Sequence, residues 1–122
     1  KINWLIENDK RNLIEKFLKQ NENFHHDAIG FFSQAIEINE KCDVAYYGRA
    51  QSFLQNGLID KAIVDLKRTI EIQPFAPHAY YKLAHAYAKT NNLEKSKQII
   101  QRLLTFEPQV GNQLKKELKL KT

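Results

Sequence analysis

Small and large apolar residues recur along this chain at a fixed interval. Ala28, Ala62 and Ser96 stand 34 residues apart and are all small. Phe32, Leu66 and Ile100 keep that interval and are all large and apolar, as are Ile36, Ile70 and Leu104, and then Ile38, Ile72 and Phe106. In the later units Tyr46 matches Tyr80, Ala50 matches Ala84, and Phe53 matches Tyr87. Pro74 and Pro108 close two of the units, with Glu40 in the equivalent place of the first. A period between about 20 and 50 residues marks an array of stacked units that share one continuous core.

Each unit reads as two helices. From Val44 to Gln55 the residues Tyr46, Ala50, Phe53 and Leu54 recur at helical spacing. Asn56-Gly57 then breaks the helix, because glycine readily takes the left-handed conformation. Asp60 is placed to cap a second helix whose buried stripe is Ile59, Ala62, Ile63, Leu66, Ile70 and Ile72. The third unit repeats the scheme, with Ala79 to Lys89, a break at Asn91-Asn92, and Leu93 to Phe106. Ala50 and Ala62 fall where paired helices approach most closely, and a bulky side chain there would force them apart. In the first unit Ala28, Ile29, Phe32, Ala35 and Ile36 predict a second helix, whereas a first helix near Asp9 to Gln20 lacks the small and aromatic landmarks. Val110, Leu114 and Leu118 lie at helical spacing with Lys115, Lys116, Lys119 and Lys121 facing out, which predicts an amphipathic cap for the exposed end of the array.

The segments Tyr46-x-x-Arg49-Ala50-x-x-Phe53 and Tyr80-x-x-Leu83-Ala84-x-x-Tyr87, followed by Ala62-x-x-x-Leu66 and Ser96-x-x-x-Ile100, resemble the tetratricopeptide repeat over about residues 9–110. The resemblance implies an all-α fold: a right-handed α-solenoid of three helix pairs plus a C-terminal capping helix. Its expected parts are residues 1–8 as an N-terminal cap or the end of a preceding repeat, a divergent repeat over 9–42, repeats over 43–76 and 77–110, and the capping helix over 111–122.

Composition changes this picture little. The chain of 122 residues is 43% hydrophobic and 27% charged, which fits one ordinary globular domain. No apolar run approaches the ~18 residues that a membrane-spanning helix needs. The one cysteine, Cys42, rules out an internal disulfide framework. The chain begins with Lys1 and lacks methionine, so a fragment of a larger protein is expected, and the unpaired cysteine favours a reducing, cytoplasmic compartment. Charge is more informative, since the net +5 is unevenly spread: −1 over 1–42, 0 over 43–76, and +3 each over 77–110 and 111–122. A basic C-terminal part favours an acidic partner, or nucleic acid.

The residues predict no catalytic site, cofactor or metal. There is no glycine-rich phosphate loop and no His-Glu-x-x-His. Cys42 has no histidine paired to it in sequence and reads as an inert thiol. His25 and His26 are adjacent, so their side chains diverge on a helix. His78 and His85 stand two turns apart, beyond the three- or four-residue spacing of a helical metal pair.

What remains is a surface. The resemblance implies that the first helix of each unit lines a concave groove that holds extended peptides. The groove-facing positions are then Val44, Tyr47, Gly48, Gln51 and Gln55 in the second unit and His78, Tyr81, Lys82, His85 and Lys89 in the third. His78, Lys82, His85 and Lys89 form one stripe of one helix, with Tyr47 and Tyr81 beside it as amphipathic contacts. Such a stripe attracts carboxylates, more strongly once its histidines are protonated below about pH 6.5.

Tyr46-Tyr47-Gly48-Arg49-Ala50 with Asp65-Leu66-Lys67-Arg68 is similar to the co-chaperone branch of the family, whose members grip the C-terminal carboxylate of chaperone tails ending in Glu-Glu-Val-Asp. In this chain that clamp is degenerate. Gly48 stands for the second-unit asparagine, His78 for the third-unit lysine, and Lys82 for the arginine, which loses the bidentate fork. First-unit candidates are Asn12 and Lys16, or Leu13 and Phe17. The leading expectation is therefore an adaptor that binds an acidic peptide or chain terminus, with a chaperone tail as one candidate. The alternative is an assembly or homo-oligomerisation module that uses Trp4, Phe31 and Phe75, aromatic residues of the kind that anchor interfaces. RNA binding is a lesser third reading.

Overall fold

The computed structural model describes residues 27–119, together with Asp9, Asn12 and Leu13. Trp4, the first helix of the first unit, His25 and His26 lie outside the described residues, apart from those three positions. All regular structure described is helical. Residues 27–38 form α1. They are followed by α2 (Asp43–Gln55), α3 (Ile59–Ile72), α4 (Pro77–Lys89), α5 (Leu93–Leu104) and α6 (Pro108–Glu117). Turns of a few residues fold each helix back on the one before, so α2 packs on α3, α3 on α4, α4 on α5 and α5 on α6, with α6 also reaching α4. This is an α-solenoid, all-α throughout the described residues.

The core runs along the stack as a single seam. Ala50 and Ala62 are fully buried where α2 meets α3, and Ala79, Tyr80, Leu83 and Ala84 carry the seam through α4. Ile99, Ile100 and Leu103 continue it in α5, and Leu114 closes it in α6. Ser96 is small like its counterparts Ala28 and Ala62, and its buried hydroxyl donates to the Ala84 carbonyl, which removes the cost of burying it. The breaks fall at matching places. Gly57 has φ +78° and Asn91 has φ +61°, the left-handed conformation that ends α2 and α4.

Four details depart from the sequence reading. Asp60 does not cap α3: Leu58 holds the cap position without a side-chain hydrogen bond, and Asp60 lies in the first turn, where its charge complements the helix dipole. Pro108 opens α6 instead of closing α5, so the last helix starts three residues before the expected 111. Proline suits that position because a first-turn N–H has no partner within the helix. Ile38 is 88% exposed, unlike its counterparts Ile72 and Phe106. Phe106 is flanked by the rings of Phe75 and Tyr80, and the matching positions for Ile38 are the polar Glu7 and Asn12.

The fourth departure is a buried ion pair. Arg49 donates from Nε to Asp65 Oδ2 at 2.7 Å and from a terminal nitrogen to Oδ1 at 2.8 Å, and a further donation reaches the Ser33 hydroxyl at 3.1 Å. This ties α1, α2 and α3 together. Hydrogen bonding to Asp65 raises the Arg49 guanidinium above its ordinary value, against the effect of burial. One unit later the same two positions are Leu83 and Ile99, both in the core.

Candidate functional site: a groove between α2 and α4

Six of the residues expected to face a groove lie along one cavity. A cavity of about 390 Å³ is bounded by Gln51, Leu54 and Gln55 of α2 and by Tyr81, Lys82, His85, Ala86 and Lys89 of α4. The α4 side follows from helical geometry. Tyr80, Leu83, Ala84 and Tyr87 turn into the core, which leaves Tyr81, Lys82, His85 and Lys89 on the opposite side. Ala86, 1% exposed, is small enough to leave room above it for a ligand.

Tyr47 and His78 sit apart from the cavity lining as a pair of their own. Their rings meet edge to face with centroids 4.6 Å apart. Burial pushes the Tyr47 phenol above its ordinary value, with Gln51 opposing through a hydrogen bond. Of the ten positions expected to face a groove, Gln51, Gln55, Tyr81, Lys82, His85 and Lys89 share one cavity, Tyr47 and His78 meet edge to face, and Val44 and Gly48 are not in the cavity lining. Val44 is 71% exposed on the same helix as Tyr47.

The electrostatics are lopsided. None of the eight lining residues is acidic, and two are lysines. Among the described residues, neither Lys82 nor Lys89 is paired with a carboxylate. His85 is paired. Its Nε2 lies 2.8 Å from Oε2 of Glu117, and the Tyr81 hydroxyl donates to the same oxygen at 2.6 Å. Glu117 ends α6 and was not singled out in the sequence, although it is the one acid among the four lysines of 111–122. Hydrogen bonds from Tyr81, His85 and Gln113 hold its carboxyl down at about 2.

Gly48 does not face open groove. A Cβ built there would collide with the ring of Phe32, so that α1 side chain fills the space where a clamp asparagine would begin. Asn12 and Leu13 are exposed, while Lys16 and Phe17 lie outside the described residues. Of the aromatics considered for assembly, Phe31 is 69% and Phe75 76% exposed. Phe75 nonetheless rests one edge on Phe106, with centroids 5.5 Å apart. Among the described residues no cluster of acids, histidines and cysteines could hold a metal ion, and no helix is long and apolar enough to cross a membrane.

A family model described as "Tetratricopeptide repeat" matches residues 53–116. Over 104 residues the chain is 29% identical to tetratricopeptide repeat protein 12 of Mus musculus, which covers 82% of this chain and 15% of that protein. Over 81 residues it is 33% identical to small glutamine-rich tetratricopeptide repeat-containing protein 2 of Mycosarcoma maydis, covering 66% and 23%. The chain therefore spans only a small part of these relatives. Among solved structures, the Arabidopsis OM64 TPR domain superposes with TM-score 0.71 at 22% identity, covering 82% of this chain and 84% of that one. The first TPR of Spaghetti (RPAP3), bound to the HSP90 peptide SRMEEVD, gives 0.68 at 22% identity, with coverage of 84% and 82%. YrrB, a TPR protein with an unusual peptide-binding site, gives 0.68 at 22% identity, with coverage of 75% and 48%.

Proposed function

The chain belongs to the tetratricopeptide repeat family, and from that premise we propose that it is a non-catalytic adaptor whose α2–α4 groove binds an acidic peptide. One observation carries this reading: a cavity of about 390 Å³ whose lining holds two lysines without acidic partners among the described residues, and no acid. A carboxylate entering such a cavity gains charge-assisted hydrogen bonds in a partly desolvated setting, where they are stronger than in water. Gln51, Gln55 and Tyr81 supply donors and acceptors for a peptide backbone. Two similar structures, YrrB and the Spaghetti first TPR, are peptide-binding TPR proteins, which supports a peptide as the occupant.

The grip proposed is looser than a chaperone-tail clamp. Phe32 occupies the space above Gly48, and Lys82 offers a point charge where a clamp arginine would offer a fork. The test is an amide chemical-shift titration with an acidic peptide bearing a free C-terminal carboxylate, and separately with its amidated twin. Shifts at Gln51, Tyr81, Lys82 and His85 with both peptides are expected. Shifts with the free acid alone would restore a terminal-carboxylate grip, and no shift with either would overturn the groove reading.

A second reading, self-association through Phe75, rests on the 76% exposure of that ring in the turn between α3 and α4. Sedimentation of Phe75→Ser against the parent chain decides it: a concentration-dependent dimer lost in the variant supports it, and monomers in both remove it.

A further inference from the structure

The α4 side of the groove is already in contact with a carboxylate of the chain itself. Glu117 Oε2 accepts from the Tyr81 hydroxyl at 2.6 Å and lies 2.8 Å from His85 Nε2, while Oε1 accepts from Gln113 Nε2 at 3.0 Å, one turn back along α6. Two of these donors, Tyr81 and His85, also line the cavity. A phenol and an imidazole that converge on one carboxylate are what recognition of a ligand carboxylate requires.

Glu117 is held in a way that permits it to leave. Its side chain is 32% exposed and that of His85 31%, whereas Asp65 in the structural ion pair is 3% exposed. Helix α6 is anchored through other residues. Leu114 is fully buried, and Gly111 lies so close to α5 that a Cβ would fall 2.6 Å from Cδ2 of Leu104. The last turn of α6 can therefore release its carboxylate by a side-chain rotation, with the helix left in place.

We infer that Tyr81 and His85 form a carboxylate subsite of the groove, and that Glu117 is its resident competitor, which an incoming acidic peptide must displace. This rests on the groove reading above. Exchanging Glu117 for a ligand carboxylate swaps like for like and adds little net affinity. Net binding then comes from further acidic groups that reach Lys82 and Lys89. The groove thereby rejects a single carboxylate and selects a peptide with several.

The experiment measures fluorescence anisotropy of an N-terminally labelled tetraglutamate peptide with a free C-terminus, against the full chain at low ionic strength. The proteins are the parent, Glu117→Gln, and Glu94→Gln, which removes the same charge outside the groove. Thermal melts check that each is folded. Glu117→Gln is expected to bind about threefold to fivefold tighter, as release of one exposed ion pair allows, and Glu94→Gln less than twofold tighter. Equal tightening by both variants would reduce the effect to net charge and overturn the inference while the groove reading stands. Unchanged binding in both would do the same. No binding by any of the three would overturn the groove reading, and the subsite with it. The His85 ring resonances give a readout free of peptide: they should shift in Glu117→Gln relative to the parent, and coincident spectra would show that the resident contact does not exist.

Discussion

The Arg49–Asp65 pair can be tested against a comparison built into the chain. Asp65 is 2% exposed and accepts two short hydrogen bonds from Arg49, and one unit later the same positions are the apolar Leu83 and Ile99. Breaking a buried pair by removing one partner costs about 3–5 kcal/mol, whereas replacing both by well-packed apolar residues is often close to neutral. Asp65→Ala leaves a guanidinium whose side chain is 21% exposed and which keeps Ser33 and the rings of Tyr46 and Phe53 nearby, so a loss near the lower end, about 3 kcal/mol, is expected. Arg49→Leu strands a carboxylate with almost no access to water and should cost more, about 4 kcal/mol. The double variant Arg49→Leu, Asp65→Ile installs the residues that the third unit uses and should lie within about 1 kcal/mol of the parent. Urea denaturation followed by far-ultraviolet circular dichroism at neutral pH measures all four chains. Single variants that each lose less than about 1 kcal/mol, or a double variant that loses the sum of the singles, would refute the argument.

Four further outcomes follow from the structure. Ala62→Glu forces a charge into a contact with no exposed surface and should abolish folding, so a normal melting curve would sink the packing register described. Gly48→Asn drives a Cβ into Phe32 and should cost about 1–3 kcal/mol, part of it recovered by Phe32→Leu; an unchanged melting temperature in the single variant would show that the ring moves freely. Lys82→Glu should leave the melt intact and remove acidic-peptide binding, and an affinity within about twofold of the parent would take Lys82 out of the groove. The Glu117 carboxyl is lowered from 4.5 to about 2 on folding, so its stabilising contribution is present above 4.5 and is lost as pH falls toward 2. Glu117→Gln should therefore flatten the acid limb of the stability curve between those values, and superimposable limbs would refute the contact.

The contacts that the sequence left hidden share one property. Glu117 meets His85 across 32 positions and Arg49 meets Asp65 across 16, so no helical spacing brings either pair together on paper. Whether Glu117 reaches the groove depends on the rotation of α6 about its axis, which Leu114 and the close approach at Gly111 set. Phe32 was legible as a large apolar position of the repeat through its 34-residue match to Leu66 and Ile100, but its end-on approach to Gly48 was not, because that depends on how α1 lies against α2. The departures at Asp60 and Pro108 are smaller: each residue sits within a few positions of its expected place, where helix ends are decided by local competition among caps.

By itself the sequence determined what is local and periodic. The 34-residue interval carried the stacked helix pairs, the small residues at Ala50 and Ala62 carried the close contacts, and the spacing of His78, Lys82, His85 and Lys89 placed them on one stripe of α4. Helical geometry is set by the backbone hydrogen bonds of neighbouring residues, so face and spacing survive translation from chain to fold. Only the tertiary structure decided which of those groove residues remain available. It set Lys82 and Lys89 without acidic partners among the described residues, set His78 edge to face against Tyr47, and placed a carboxylate from the last helix on His85 and Tyr81. Those outcomes depend on the relative placement of whole helices, which is fixed by packing between residues far apart in the chain.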